Sequence, residues 1–336
     1  MARRYRFRQV DVFTDRPLAG NPLAVFPEAA GLSDGEMQAL AREMNLSETT
    51  FVLPPSDGGA LEGATYRMRI FTPGIELPFA GHPSIGTAWV LADERRFPLT
   101  TPRTEVRQEV GIGVLPLAIE VREGATGGAG EPPELSVGEV TMTQGAPRVL
   151  ESIHPADLVD LCTALELDAH ALGWAEADGR SWDVAGAAPT VVTTGLPYLV
   201  VPMRDRAALA AIPSERAWAV AQVARRHGCD SAALVAPGTS GAVADADVHV
   251  RVLIDPATGI VEDPATGSAA GPIAVYLGRL RGARWARQRL VLEQGVEIGR
   301  PSRLVTEVDF EADGSPLEVR VSGGVVAVLE GWLTLP

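Results

Sequence analysis

The chain contains no lysine, and all 29 of its basic residues are arginine. A pyridoxal-phosphate enzyme needs a lysine amine for its Schiff base, and a Walker A loop needs one for its phosphates. Both classes are therefore excluded. Cysteine is nearly as scarce. Cys162 and Cys229 stand far apart, which gives neither a disulfide framework nor a thiolate metal site. No stretch approaches the roughly 18 apolar residues of a membrane span, and the N-terminus lacks the apolar core of a signal peptide. Basic runs are short, and the formal net charge is −14. That balance argues against nucleic acid and against an anionic membrane as partners. A cytoplasmic protein is the simplest expectation.

What is present fits a globular protein of two domains, since 336 residues exceed one comfortable core. Residues 5–13 alternate as a strand, and 23–26 resume after the turn cluster Asp15–Pro22. Ser33-Asp34-Gly35-Glu36 has capping-box spacing, predicting a helix from Asp34 to Met44 that stops at Asn45. Short strands are expected at 51–53 and 66–71, β-rich stretches at 105–121 and 135–143, and helices near 155–166 and 214–227. Further strands are expected at 190–195, 198–202 and through 288–334. The Gly-rich segment 123–130 contains G-x-x-G-G-x-G, but no helix follows it, so it reads as a hairpin loop or a mobile tip rather than a dinucleotide fingerprint. Asp245, Asp247 and His249 alternate along one predicted strand. That spacing suggests the solvated face of a half-buried strand rather than a metal site.

The stretch Glu262-Asp263-Pro264-Ala265-Thr266-Gly267-Ser268-Ala269-Ala270-Gly271 has a different character. An acid pair and a turn lead into a helix whose first turn has little side-chain bulk. Such a turn leaves backbone N–H groups open to an anion, which the helix N-terminus favours. An echo lies about 186 residues earlier, in Phe71-Thr72-Pro73, Glu76 and Pro78-Phe79-Ala80-Gly81-His82-Pro83-Ser84. If two similar domains face each other, the two helix starts converge on one cleft. The same spacing equally fits two glycine-led helix starts packed in separate cores. Taken singly, Glu48 is a solvated charge, His82 a capping group and Asn21 a turn residue.

Several segments in order now resemble one family. They are Asp11-Val12-Phe13-Thr14 with Gly20-Asn21-Pro22, Asn45-Leu46-Ser47-Glu48-Thr49-Thr50-Phe51, Gly81-His82-Pro83-Ser84, and Glu262-Asp263-Pro264-Ala265-Thr266-Gly267-Ser268. Together they resemble the PhzF-like isomerases of phenazine biosynthesis. The resemblance implies an α+β fold of the diaminopimelate epimerase type. Two similar domains, related by a pseudo-twofold, would each wrap a mostly antiparallel sheet around a central helix. Residues 1–145, joined by the last strand 326–336, would form one and residues 146–325 the other.

The resemblance also implies proton transfer at carbon without a cofactor, with Glu48 as acid/base and His82 and Asp263 as catalytic partners. Ser47, Gly81, Gly267 and Ser268 would bind a small carboxylate-bearing substrate, similar to trans-2,3-dihydro-3-hydroxyanthranilate, and a homodimer is expected. Ala80 and Thr266 occupy the positions where two-thiol racemases of this fold carry cysteine, which argues against that chemistry. The segment Arg251–Pro256 departs from the family pattern and predicts a bulge or an altered pocket wall. A non-catalytic binding or scaffold protein of the same fold is the competing expectation.

Overall fold

The computed structural model describes residues 2–124, 134–175, 187–256, 260–281 and 286–336. The elements run β1 (Arg3–Val12), β2 (Asn21–Phe26), α1 (Asp34–Met44), β3 (Glu48–Leu53), α2 (Asp57–Leu61), β4 (Tyr66–Phe71), β5 (Glu76–Leu77) and α3 (Gly81–Asp93). They continue with β6 (Arg103–Val110), β7 (Gly113–Glu123), β8 (Leu135–Thr143), β9 (Arg148–Ser152), α4 (Pro155–Leu165), β10 (Thr190–Thr193) and β11 (Pro197–Pro202). Then come α5 (Arg206–Ala210), α6 (Ala217–Arg226), β12 (Ser231–Pro237), β13 (Val248–Ile254), β14 (Glu262–Asp263) and α7 (Gly267–Leu280). The chain ends with β15 (Arg287–Gln294), β16 (Ser302–Phe310), β17 (Pro316–Gly323) and β18 (Val325–Leu335). It is an α+β, sheet-rich protein that divides into two units, Met1–Thr143 with Ser322–Pro336, and Gln144–Val321.

In the first unit the strand order is β8-β7-β6-β4-β3-β2-β1-β18, with β5 added beside β4. Neighbours are antiparallel except β2/β3 and β4/β6, which are parallel. A parallel pair needs a crossover, and α1 supplies it between β2 and β3. The Ser33 side chain caps α1, Glu36 reaches back to the Ser33 backbone, and Asn45 ends the helix in the left-handed region at φ 49°. The apolar face of α1 packs Met37 and Leu40 against Phe26, Phe51 and Phe71. Phe26 and Phe51 stack at 5.0 Å, and Phe71 meets Phe51 edge-on at 5.5 Å. The other helix, α3, is buried almost all round and packs against β1, β2, β3, β7, β8 and β18. A helix apolar on every side belongs in a core.

The second unit has the order β9-β10-β11-β12-β13-β15-β16, with β14 added beside β13. Its parallel pairs are β11/β12 and β13/β15. Buried α7 packs against β10, β11, β12, β15 and β16, while Leu161, Leu165, Val220 and Ala224 of α4 and α6 share a core with Val191, Leu199 and Leu253.

Two expectations fail here. Only His249 of the Asp245/Asp247/His249 set lies in a strand, and it is fully buried rather than solvated. Its Nδ1 meets Glu293 Oε2 at 2.7 Å and its Nε2 meets Glu297 Oε1 at 2.8 Å. Alternation signals a solvated face only when that face lacks a covering layer, and here the β15 residue Glu293 and the loop residue Glu297 cover it. Nor is there a bulge at Arg251–Ile254. β13 keeps one register against β12 from Val248 to Ile254, with the Arg251 side chain bonded inside the unit, so of the expected bulge or altered pocket wall only the bulge is contradicted. The Gly-rich tip 125–130 lies outside the described residues, although β7 and β8 on either side do pair antiparallel.

Candidate active site

Three chain segments meet at the start of α3. β2 opens at Asn21, β3 at Glu48, and their parallel register places Glu48 opposite Leu23. α3 begins at Gly81-His82, and its N-cap residue Ala80 makes no side-chain cap. His82 is 4% exposed, and its Nε2 lies 3.4 Å from Glu48 Oε2. On its other side, His82 Nδ1 sits 3.2 Å from Asn21 Nδ2, and Ser47 Oγ donates to Asn21 Oδ1 at 2.9 Å. Burial pushes the His82 imidazole down to about 3, because withdrawal from water disfavours the charged ring. His82 is therefore a neutral hydrogen-bonding group near neutrality. Glu48, His82 and Ser47 are brought together as expected. Asn21, expected only to shape a turn, is fully buried among them.

The second unit sets Asp263 on β14 and Gly267-Ser268 on the first turn of α7, whose N-cap residue Thr266 makes no side-chain cap. Thr266 Oγ1 instead donates to Asp263 Oδ2 at 2.6 Å. Gln294 Nε2 donates to the Asp263 carbonyl at 2.7 Å and to Thr266 Oγ1 at 3.0 Å, while Gln294 Oε1 accepts from the Thr266 amide. Ser268 Oγ lies 2.7 Å from the Tyr198 hydroxyl, and Gln144 Nε2 donates to the Gly267 carbonyl at 2.8 Å. Tyr198, Gln144 and Gln294 are distant in sequence, so no local motif announces them.

The strand registers also sort the acids of the echo. On β5, Glu76 faces Phe71 and Leu77 faces Ile70; on β14, Glu262 faces Leu253 and Asp263 faces Val252. Glu76 and Glu262 thus hold corresponding places, each paired with an arginine two residues before its strand partner. Arg69 grips Glu76 at 2.7 and 2.6 Å, and Arg251 grips Glu262 at 2.9 and 2.7 Å. Both glutamates are structural partners of a guanidinium. Asp263 corresponds to Leu77, so only the second unit carries a carboxyl there. Among the described residues, no group of three or more His, Cys, Asp or Glu side chains could hold a metal ion, and no helix is long and apolar enough to cross a membrane.

The first unit thus holds a half-buried glutamate beside a neutral histidine, and each unit has a helix start without a side-chain cap. The chain belongs to the phenazine biosynthesis-like protein family, whose model matches residues 10–331, and it is an isomerase of that family. It is 38% identical over 330 residues to the trans-2,3-dihydro-3-hydroxyanthranilate isomerase of Pseudomonas aeruginosa, covering 97% of this chain and 98% of the relative. A PhzF-family phenazine biosynthesis protein of Bacillus anthracis superposes with a TM-score of 0.78 at 24% identity, over 99% of this chain and 100% of that one. A hydroxyproline epimerase of Agrobacterium vitis shares the fold at a TM-score of 0.60 and 14% identity, over 99% of this chain and 93% of that one.

Proposed function

We propose that this isomerase shifts a proton between carbon atoms of a small carboxylate-bearing substrate, without a cofactor, using Glu48 as the acid/base group. The observation that carries the reading is the Glu48–His82 contact at the uncapped start of α3. A neutral imidazole beside the carboxylate orients it without adding a positive charge that would weaken it as a base. Asp263, tied to Thr266, assists as a proton partner. Gly81, Gly267 and Ser268 offer helix-start N–H and hydroxyl groups to carboxylate oxygens.

The chemistry is of the single-base kind. At the β12 position that faces Leu199, where β3 carries Glu48 facing Leu23, the chain has Ala232. Glu48 thus has no carboxyl counterpart at that position, and in this reading it both removes and returns the proton while Asp263 assists. The matching order of antiparallel and parallel pairs supports reading the two units as similar domains of the diaminopimelate epimerase type. A homodimer is proposed from the family alone.

The substrate proposed is trans-2,3-dihydro-3-hydroxyanthranilate or a close cyclic relative, from the name of the Pseudomonas aeruginosa enzyme. Incubation with it in deuterium oxide should yield an isomer carrying solvent deuterium at carbon. Binding without conversion, for this and related cyclic carboxylates, would favour the non-catalytic alternative.

A further inference from the structure

We infer that Asn21, backed by Ser47, is a positioning residue that sets which nitrogen of His82 carries its proton, and so aims an N–H at Glu48. The inference rests on the reading of Glu48 as the acid/base group. It starts from one hydroxyl. Ser47 Oγ donates to Asn21 Oδ1 at 2.9 Å, so the carbonyl end of the fully buried amide faces Ser47 and its nitrogen faces away. The amide nitrogen then faces His82 Nδ1 at 3.2 Å. An amide nitrogen can only donate, so Nδ1 must accept, and a neutral imidazole that accepts at Nδ1 carries its proton on Nε2. That nitrogen lies 3.4 Å from Glu48 Oε2.

The hydrogen bonds Ser47–Asn21–His82 therefore run in one donor direction, and the N–H they set lies on the nitrogen 3.4 Å from the Glu48 carboxylate. Reversing that direction would turn a ring lone pair toward Glu48 and repel the ionised group. The arrangement depends on two parallel strands starting side by side, β2 at Asn21 and β3 at Glu48.

The test uses the full chain with nitrogen-15-labelled histidine, observed by NMR at neutral pH, with His82 assigned by its loss in His82→Gln. Wild type should show His82 protonated at Nε2. Asn21→Asp keeps the shape but replaces the donor with an acceptor, so His82 should move to the Nδ1-protonated form. Its kcat should fall by roughly 10- to 100-fold with KM little changed, less than the roughly 10⁴ lost when a catalytic-triad histidine takes the wrong tautomer. Ser47→Ala, a gentler change, should give a mixture of tautomers and a smaller kcat loss. Wild-type His82 protonated at Nδ1, an unchanged tautomer in both variants, or a flipped tautomer with unchanged kcat would overturn the inference. If instead Glu48→Gln retained activity while the tautomers behaved as stated, the acid/base reading would fail and the ordering of His82 would stand.

Discussion

Arg69 and Arg251 show how burial decides what one residue pair is worth. Each makes a two-pronged contact with a glutamate at the same place in its unit. The Arg251–Glu262 pair is 2% exposed on both sides, and Arg251 also donates to the carbonyls of Leu209 and Ile212. Arg69 and Glu76 are 16% and 41% exposed. Removing one partner of a buried pair strands the other charge at a cost of about 3–5 kcal/mol, whereas an exposed pair contributes about 0–1 kcal/mol. Arg251→Met should therefore lower stability in urea titration several times more than Arg69→Met. Equal effects would contradict this account of Glu262 as a structural group.

Among the elements, α3 carries Gly81 and His82 of the candidate site and has little room to move. Gly86 faces β1 and β2, where a methyl group would come within 2.6 Å of Leu23 Cδ2 and 2.7 Å of Val12 Cγ2. Gly86→Ala gains up to about 1 kcal/mol of helix propensity but overpacks the core at about 1–3 kcal/mol. Thermal melting should show net destabilisation, and a raised melting temperature would show that α3 sits more loosely than described. Much at this scale was legible in the sequence. The capping box and Asn45 fixed α1 because caps are local chemistry, and Gly81 and Gly267 marked two helix starts. The strand containing Glu48 was expected only from Phe51, since its early residues are placed by pairing with β2 rather than by their own pattern. Asn21 looked like a turn residue, and Tyr198, Gln144 and Gln294 were invisible, because only tertiary packing brings them to Ser268, Gly267 and Asp263. His249 was misread because period-two spacing reveals the face of a strand but not what covers it.

At the scale of the whole molecule, two buried histidines tie stability to pH with opposite signs. Burial lowers the folded-state pKa of His82 to about 3, so the unfolded chain takes up this proton more readily below about pH 6.5. Stability then falls on acidification from about pH 6.5 toward 3, by at most about 1.4 kcal/mol per pH unit from this group. His249 behaves differently. Burial disfavours its charge, but hydrogen bonds to Glu293 and Glu297 outweigh that and raise its pKa. Its contribution is fully present below about pH 6.5 and is lost as pH rises through the raised value. Glu293, held down to about 2 despite burial by its bonds to His249 and to the Ser240 and Val243 amides, contributes above about pH 4.5 and loses that contribution on further acidification. In urea titrations across pH 5 to 9, the stability gap between wild type and His249→Gln should narrow on the alkaline side. A gap that widened there would show that His249 is held neutral.

The proposed proton transfer depends most on Glu48, which stands on β3 beside the neutral imidazole of His82. The direct measurement is turnover of trans-2,3-dihydro-3-hydroxyanthranilate in deuterium oxide by wild type and Glu48→Gln, with deuterium followed in the product. The amide keeps the size of the carboxyl but cannot take a proton, so turnover and deuterium incorporation should both fall by at least about 100-fold, the low end of what a general base contributes. Full turnover with full deuterium incorporation by Glu48→Gln would contradict the assignment of Glu48 as the proton-transfer group.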